Sequence, residues 1–297
     1  MRRQLLCLMP LVFIGLFVSL TPVAADEKVE KDESTQRLAA TKGTINVVEI
    51  TVADRKESLA VLTKVASSFE VRLDDKRIAK LESTPAMRWT NTIGRATDAA
   101  MFFWMYEGRP VAVGTSFVTE GVIGVEFQSL ALQSFETRRG DKSVWKPREP
   151  GLAFQKLKDA PAPADSARLR LTQMKSLARR FRAEAIKGPP AYQENDVQQL
   201  RLLTQPILRF QDPRAAELEG AVFAIAMDTD ADILLLIENR LRDGKPGWEY
   251  ALARTNPFEL KAWCDDTQVW SQARIKMTDP DQPYFNITIG AFPRKEN

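Results

Sequence analysis

Between residues 44 and 52 apolar positions alternate with polar ones, Ile45 and Val47 in one phase and Val48, Ile50 and Val52 in the other, and all five are β-branched. Such alternation predicts a strand. The period then changes. Leu59, Leu62, Val65, Ala66 and Phe69 recur at three- and four-residue intervals, which places them on one face of a helix, with Asp54 or Ser58 available as its N-cap. From Met87 onward the chain returns to runs of aromatic and branched residues at 99–106, 111–118 and 125–132, with a short last run at Ser143, Val144 and Trp145. Glu107-Gly108-Arg109-Pro110 separates the first two runs and reads as a hairpin turn. Strand, helix and antiparallel meander follow in that order.

The pattern then comes back. Pro85-Ala86-Met87-Arg88-Trp89 is answered by Pro206-Ile207-Leu208-Arg209-Phe210, and Ala100-Met101-Phe102 by Ala221-Val222-Phe223 at the same offset. Glu126-Phe127 corresponds to Glu249-Tyr250, and Val144-Trp145 to Val269-Trp270, with a small drift in register. Leu171, Met174, Leu177, Ala178 and Phe181 keep the spacing of the first helical stripe, with Asp165 or Ser166 as cap and Gly188-Pro189-Pro190 as the stop. An extra loop falls around 191–199, and 151–157 can open the second copy as a strand before the stiff Ala160-Pro161-Ala162-Pro163 linker. The expected class is α+β: two tandem units, each one helix packed on an antiparallel β-meander, over 44–148 and 165–297, with linker and strand at 149–164. One amphipathic helix covers one face of a four-stranded sheet, and two such units packed together leave a groove as the default ligand site.

What precedes the fold has a different character. A positive start at Arg2 and Arg3, an apolar run to Leu20 and the small residues Val23, Ala24 and Ala25 have the layout of a secretory signal over 1–25. Residues 26–43 are charged and almost without large apolar side chains, the composition of a flexible tether. Removal of the leader takes Cys7 with it and leaves Cys264, so no internal disulfide is expected. With 42 basic and 39 acidic residues the charge is nearly balanced, which argues against a nucleic-acid partner. The chain has no histidine. Ser-His-Asp and Cys-His catalysis, His metal ligation and a His-based pH switch are therefore excluded. A Gly-rich phosphate loop, a Gly-x-Ser-x-Gly elbow and a Cys-x-x-Cys pair are also missing, so neither cofactor nor metal is expected. Contact with a membrane is expected only through the leader before cleavage.

The repeat singles out its own candidates. Arg88 and Arg209 sit at equivalent places, as do Glu126 and Glu249, and Arg-Glu pairs on a central groove would hold a carboxylate or a sugar. The same pairs serve equally to order each sheet. Trp104 and Trp248 can stack on a ligand or fill a core. Asp228-Thr229-Asp230-Ala231-Asp232 resembles half a calcium loop, but Ile233 stands where glycine is needed, and a solvated hairpin turn is the expectation. Ser143 and Lys146 have the spacing of a Ser-Lys nucleophile pair but close a strand rather than lie on a helix. Arg168, Lys175, Arg179, Arg180, Arg182 and Lys187 are expected opposite the apolar stripe of the second helix, as a solvated face or an anionic-surface contact.

Several of these segments carry a resemblance. Pro85 to Trp89, Gly108-Arg109-Pro110-Val111-Ala112, Glu126-Phe127-Gln128-Ser129-Leu130, Ala178-Arg179-Arg180-Phe181 and Tyr250-Ala251-Leu252-Ala253-Arg254 are together similar to a group of uncharacterised exported proteins of planctomycete-type bacteria. That resemblance implies export and carries no activity, and Gln128 stands where that group often has histidine. The β-α-meander order is similar to cystatin-like and NTF2-like units, by analogy of fold alone. The expected function is non-catalytic binding, of an unknown ligand or envelope component, in an exported protein. The alternative is an acid-base hydrolase using carboxylates such as Glu126 and Glu249 between the units.

Overall fold

The computed structural model describes residues 52–91, 96–187, 195–213 and 215–293. The expected leader, the tether, nearly all of the strand at 44–52 and the Gly188-Pro189-Pro190 stop lie outside them. The loop expected around 191–199 lies partly outside, and is strand from Asp196 onward.

Helix α1 (Val52–Ser67) is followed by β1 (Phe69–Arg72), β2 (Ile78–Leu81), β3 (Met87–Asn91), β4 (Ala96–Tyr106), β5 (Arg109–Thr119), β6 (Val122–Ser129), β7 (Glu136–Arg139) and β8 (Lys142–Trp145). After the short β9 (Gln155–Lys156) come helix α2 (Ala167–Ala178), β10 (Phe181–Lys187), β11 (Asp196–Leu202), β12 (Leu208–Asp212), β13 (Ala215–Met227), β14 (Asp230–Arg242), β15 (Lys245–Arg254), β16 (Glu259–Cys264) and β17 (Thr267–Gln272). The last strand is β18 (Tyr284–Ala291). These form two antiparallel sheets in which the strand orders β6-β5-β4-β2-β1-β7-β8 and β15-β14-β13-β11-β10-β16-β17 run through the same succession. Each sheet gains an edge strand from elsewhere in the chain. β18 crosses back to β6 from the far end of the sequence, and β9 adds to β15.

The expected α+β class is therefore wrong. The chain is mainly β, 56% strand and 11% helix, with two barrel-like sheets instead of two helix-backed meanders. Two local misreadings account for much of the difference. Phe69 and Phe181 complete the helical stripes by spacing, yet they begin β1 and β10. The first helix ends at Ser67, and just beyond it the Ser68 N–H and hydroxyl both donate to the Val65 carbonyl. In β10, Phe181, Ala183, Ala185 and Lys187 are buried alternately, so strand pairing with β11 and β16 overrides the helix-forming composition of the segment. Arg182 and Lys187 thereby leave the expected basic helix face. Ser166 does cap α2, accepting from the Leu169 N–H, whereas Ser58 lies inside α1.

Burial explains the continuous apolar runs. Along β4, Ala100, Phe102 and Trp104 point into a core shared with Leu62, Val65 and Ala66 of α1, while Ala99, Met101 and Phe103 point the other way. Along β14, Ile233, Leu235 and Ile237 meet Met174 and Leu177 of α2, and Leu234 and Leu236 face the first sheet. Each sheet thus curls around its own helix and lays its opposite face on the other sheet. Strands covered on both faces have no reason to alternate. Glu107-Gly108 and Asp243-Gly244 form the tight turns of the two hairpins with positive φ throughout, the twist-matched geometry of two-residue loops.

Candidate functional site

Among the six candidate residues, Arg88, Arg209 and Glu249 are held in ion pairs, and Trp104 and Trp248 are buried in cores. Arg88 on β3 lies opposite Ala100 in register, and its guanidinium grips Asp98 through two bonds, Nε to Oδ1 at 2.9 Å and Nη2 to Oδ2 at 2.7 Å. Arg209 on β12 stands likewise to Glu219 at 3.5 Å, and Glu219 is held more closely by Arg170 of α2 at 2.9 Å. Both arginines therefore pair with an acid on the neighbouring strand, not with a glutamate of β6 or β15. Glu249 lies between Arg240 at 3.2 Å and Arg242 at 2.8 Å. Its registered neighbour Glu238 is bonded by Arg240 and by Arg109 of the first sheet. Trp104 and Trp248, 1% and 2% exposed, fill the two helix-backed cores, and the Trp104 indole donates to the Phe69 carbonyl at 3.3 Å.

Glu126 is different. It projects from β6 between Thr115 of β5 and Asn286 of β18, and Asn286 Nδ2 donates to its Oε1 at 3.2 Å. It opens into a cavity of about 250 Å³ at the junction of the sheets, which Asp230, Asp232, Lys187, Thr255 and Asn256 also line. Trp89, Phe117 and Phe258 supply aromatic walls. Protein surrounds the Glu126 carboxyl closely enough that burial, helped by the negative charge of Asp230, pushes its pKa up to about 8. At neutral pH it is mostly protonated. Glu249 does not line this cavity; it is held by Arg240 and Arg242 instead.

The opposite wall is built by the second sheet. The β13–β14 turn at Asp228 and Thr229 starts β14, and a bulge that leaves Asp232 unpaired between Ala231 and Ile233 places Asp230 and Asp232 in the lining of the same cavity. Asp232 is 1% exposed and accepts from Lys187 Nζ at 3.0 Å, from the Met227 N–H at 2.8 Å and from Asn256 Nδ2. Burial raises its pKa, and the Lys187 ammonium opposes that rise. Lys187 itself lies 5.3 Å from the Phe258 ring centroid. The loop after β15 locks onto this wall: Thr255 donates its N–H to the Asp232 carbonyl at 2.9 Å and its hydroxyl to that of Ala231 at 2.5 Å. The aspartates of the suspected calcium half-loop thus serve as a hairpin start, and among the described residues no group of three or more acidic, Cys or His side chains is arranged to hold a metal ion.

Asn256 and Asn286 are not singled out by the sequence, and Asp232 and Lys187 are read there in other roles, as part of a hairpin turn and of a helix face. Lys187 was assigned to a helix face, and only the β10 strand turns it inward. Asn286 arrives through the long-range return of β18, for which no local signal exists. The signal that was present is the polar cluster Asp230, Asp232, Thr255 and Asn256 bordering strongly apolar strands. The chain matches no protein-family model, no curated protein and no solved structure.

Proposed function

We propose that the chain is an exported, non-catalytic binding protein that holds a small organic cation between its two sheets. The observation that carries the reading is Glu126: a half-buried carboxyl bonded to Asn286, with no ion pair to a cation among the described residues, in a cavity that has acidic side chains on one wall and three aromatic rings on the others. An ammonium entering there would ionise Glu126 and lie against ring faces, and both interactions are strong away from water. Lys187 does not compete, because its ammonium is occupied by Asp232. Export rests on the leader-like first 25 residues and the family resemblance.

Calorimetry with methylammonium, tetramethylammonium and benzylammonium at pH 7, in buffers of different ionisation enthalpy, tests the binding. Uptake should release close to one proton, because a group with a pKa of about 8 starts mostly protonated. Glu126→Gln should remove the proton release and weaken binding about tenfold or more. Affinity that is constant from pH 6 to 9 and unchanged in the variant would refute the reading. An N-terminus found intact at Met1 in the envelope fraction would refute cleavage.

A second reading, acid-base hydrolysis, draws on the same protonated carboxyl standing in one cavity with Asp230, since two carboxyls in unlike environments divide acid and base roles. Turnover of an ester or glycoside that Glu126→Gln abolishes would decide for it.

A further inference from the structure

A second and larger cavity, of about 490 Å³, lies beside the first, between the end of β15, β17 and the segments 149–153 and 282–284. Arg254, the last residue of β15, is 5% exposed in its wall. Its Nη2 donates to the carbonyls of Phe258 at 2.6 Å and Ala273 at 2.9 Å, while its Nε has no partner and no carboxylate pairs with it among the described residues. Burial pushes Arg254 down to about 10, which still leaves it a cation at neutral pH. Two more buried polar groups face the same space. Tyr284 and Gln128, 1% and 3% exposed, stand opposite one another in the β18–β6 register; Gln128 Oε1 has no hydrogen-bonding partner, and the Tyr284 hydroxyl lies against the Glu126 carboxyl. Gln128 Nε2 is already committed to the Ser129 carbonyl. Leu152, Leu252 and Trp270 form apolar walls, and Glu149 stands at the exposed rim.

A buried guanidinium without a counter-charge is an unfavourable arrangement unless something of opposite charge joins it. Arg254 Nε lacks an acceptor and no carboxylate pairs with it among the described residues, so the deficit is specifically one of negative charge. We infer that this cavity binds a small organic acid: its carboxylate accepts from Arg254 Nε–H, and a hydroxyl or amide N–H next to the carboxylate donates to Gln128 Oε1. Leu152, Leu252 and Trp270 take its apolar body. Tyr284, whose hydroxyl lies against Glu126, stands between this cavity and the Glu126 cavity, and the two are opposite in the charge they select.

The test is calorimetric titration of the full chain at pH 7 with lactate, mandelate, phenylacetate and mandelamide. Lactate or mandelate should bind, phenylacetate should bind about five- to tenfold more weakly for want of the hydroxyl, and mandelamide at least about tenfold more weakly for want of charge. Gln128→Leu deletes the unpartnered acceptor and should bind mandelate about five- to tenfold more weakly. Arg254→Met should lose binding, and if it does not fold, Gln128→Leu and mandelamide still decide. Absence of binding of both lactate and mandelate up to about 10 mM overturns the inference. So does equal affinity for mandelate and mandelamide, or an affinity for mandelate that Gln128→Leu leaves unchanged.

Discussion

Replacing Glu126 by glutamine should change how stability depends on pH more than it changes stability at any one pH. In the folded chain Glu126 holds its proton up to about pH 8, against an ordinary value of 4.5 when the chain is unfolded. Between those two values the folded state carries one proton more than the unfolded state, so stability falls as pH rises. The slope is roughly 1 kcal/mol per pH unit, present from about pH 5 to pH 8 and flat above, which amounts to a few kcal/mol over the window. Below pH 4.5 both states are protonated, and Glu126 adds no pH dependence. Glutamine keeps the shape, can still bond Asn286 and does not titrate. Urea unfolding of wild type and Glu126→Gln at pH 5, 6, 7, 8 and 9 measures the effect as a difference, in which the titrations of other groups largely cancel. The variant should be close to wild type at pH 5 and more stable than it by a few kcal/mol at pH 9. A wild-type-minus-variant difference constant across the series would refute the buried, proton-holding Glu126 on which the cation reading rests.

Other changes should act through packing and pairing. Lys187→Met leaves Asp232 buried beside no cation and should cost about 3–5 kcal/mol in urea unfolding. Much of that should return in Lys187→Met combined with Asp232→Leu, because the unpaired charge is then gone. Trp104→Ala empties a core position that is 1% exposed and should cost about 3–5 kcal/mol in the same assay, with no change in ligand affinity beyond the loss of folded protein. Gly108→Ala and Gly244→Ala share a positive φ, 76° and 73°, and differ in surroundings. A Cβ at Gly108 would meet the Gln211 carbonyl of the other sheet at 2.1 Å, while nothing lies within 4 Å at Gly244. Gly244→Ala should cost about 1 kcal/mol, and Gly108→Ala clearly more. Equal unfolding midpoints would mean that the Gly108 turn does not press on the second sheet.

Much of the local structure is legible in the order of residues. The hairpin turn at Glu107-Gly108, the strands around 99–118 and 221–253, and a cap at Asp165 or Ser166 follow from periodicity and turn chemistry, which act over a few residues. The equivalent positions Arg88 with Arg209 and Glu126 with Glu249 are also plain in the sequence, but their roles are not. Arg88 finds Asp98 and Arg209 finds Glu219, because strand pairing brings each arginine beside the acid of the adjoining strand. Glu249 is neutralised by Arg240 and Arg242, and Glu126 is left with the uncharged Asn286 and Tyr284. Two glutamates at equivalent places in the chain thus have unlike chemistry, set by which cations the sheets bring near.

The sequence by itself determined where several of the strands and turns form, that histidine chemistry is excluded, and that apolar residues suffice for large cores. The tertiary structure decided the rest: that Phe69 and Phe181 begin strands, that each sheet buries both faces, that β18 returns to the first sheet to supply Asn286 and Tyr284, and that Lys187 turns inward to Asp232. The physical reason is range. Backbone preference and side-chain period are settled among neighbours a few residues apart, whereas burial on the second face of a sheet, and the charge that a carboxyl or guanidinium meets there, depend on segments a hundred or more residues away that only the folded chain brings together.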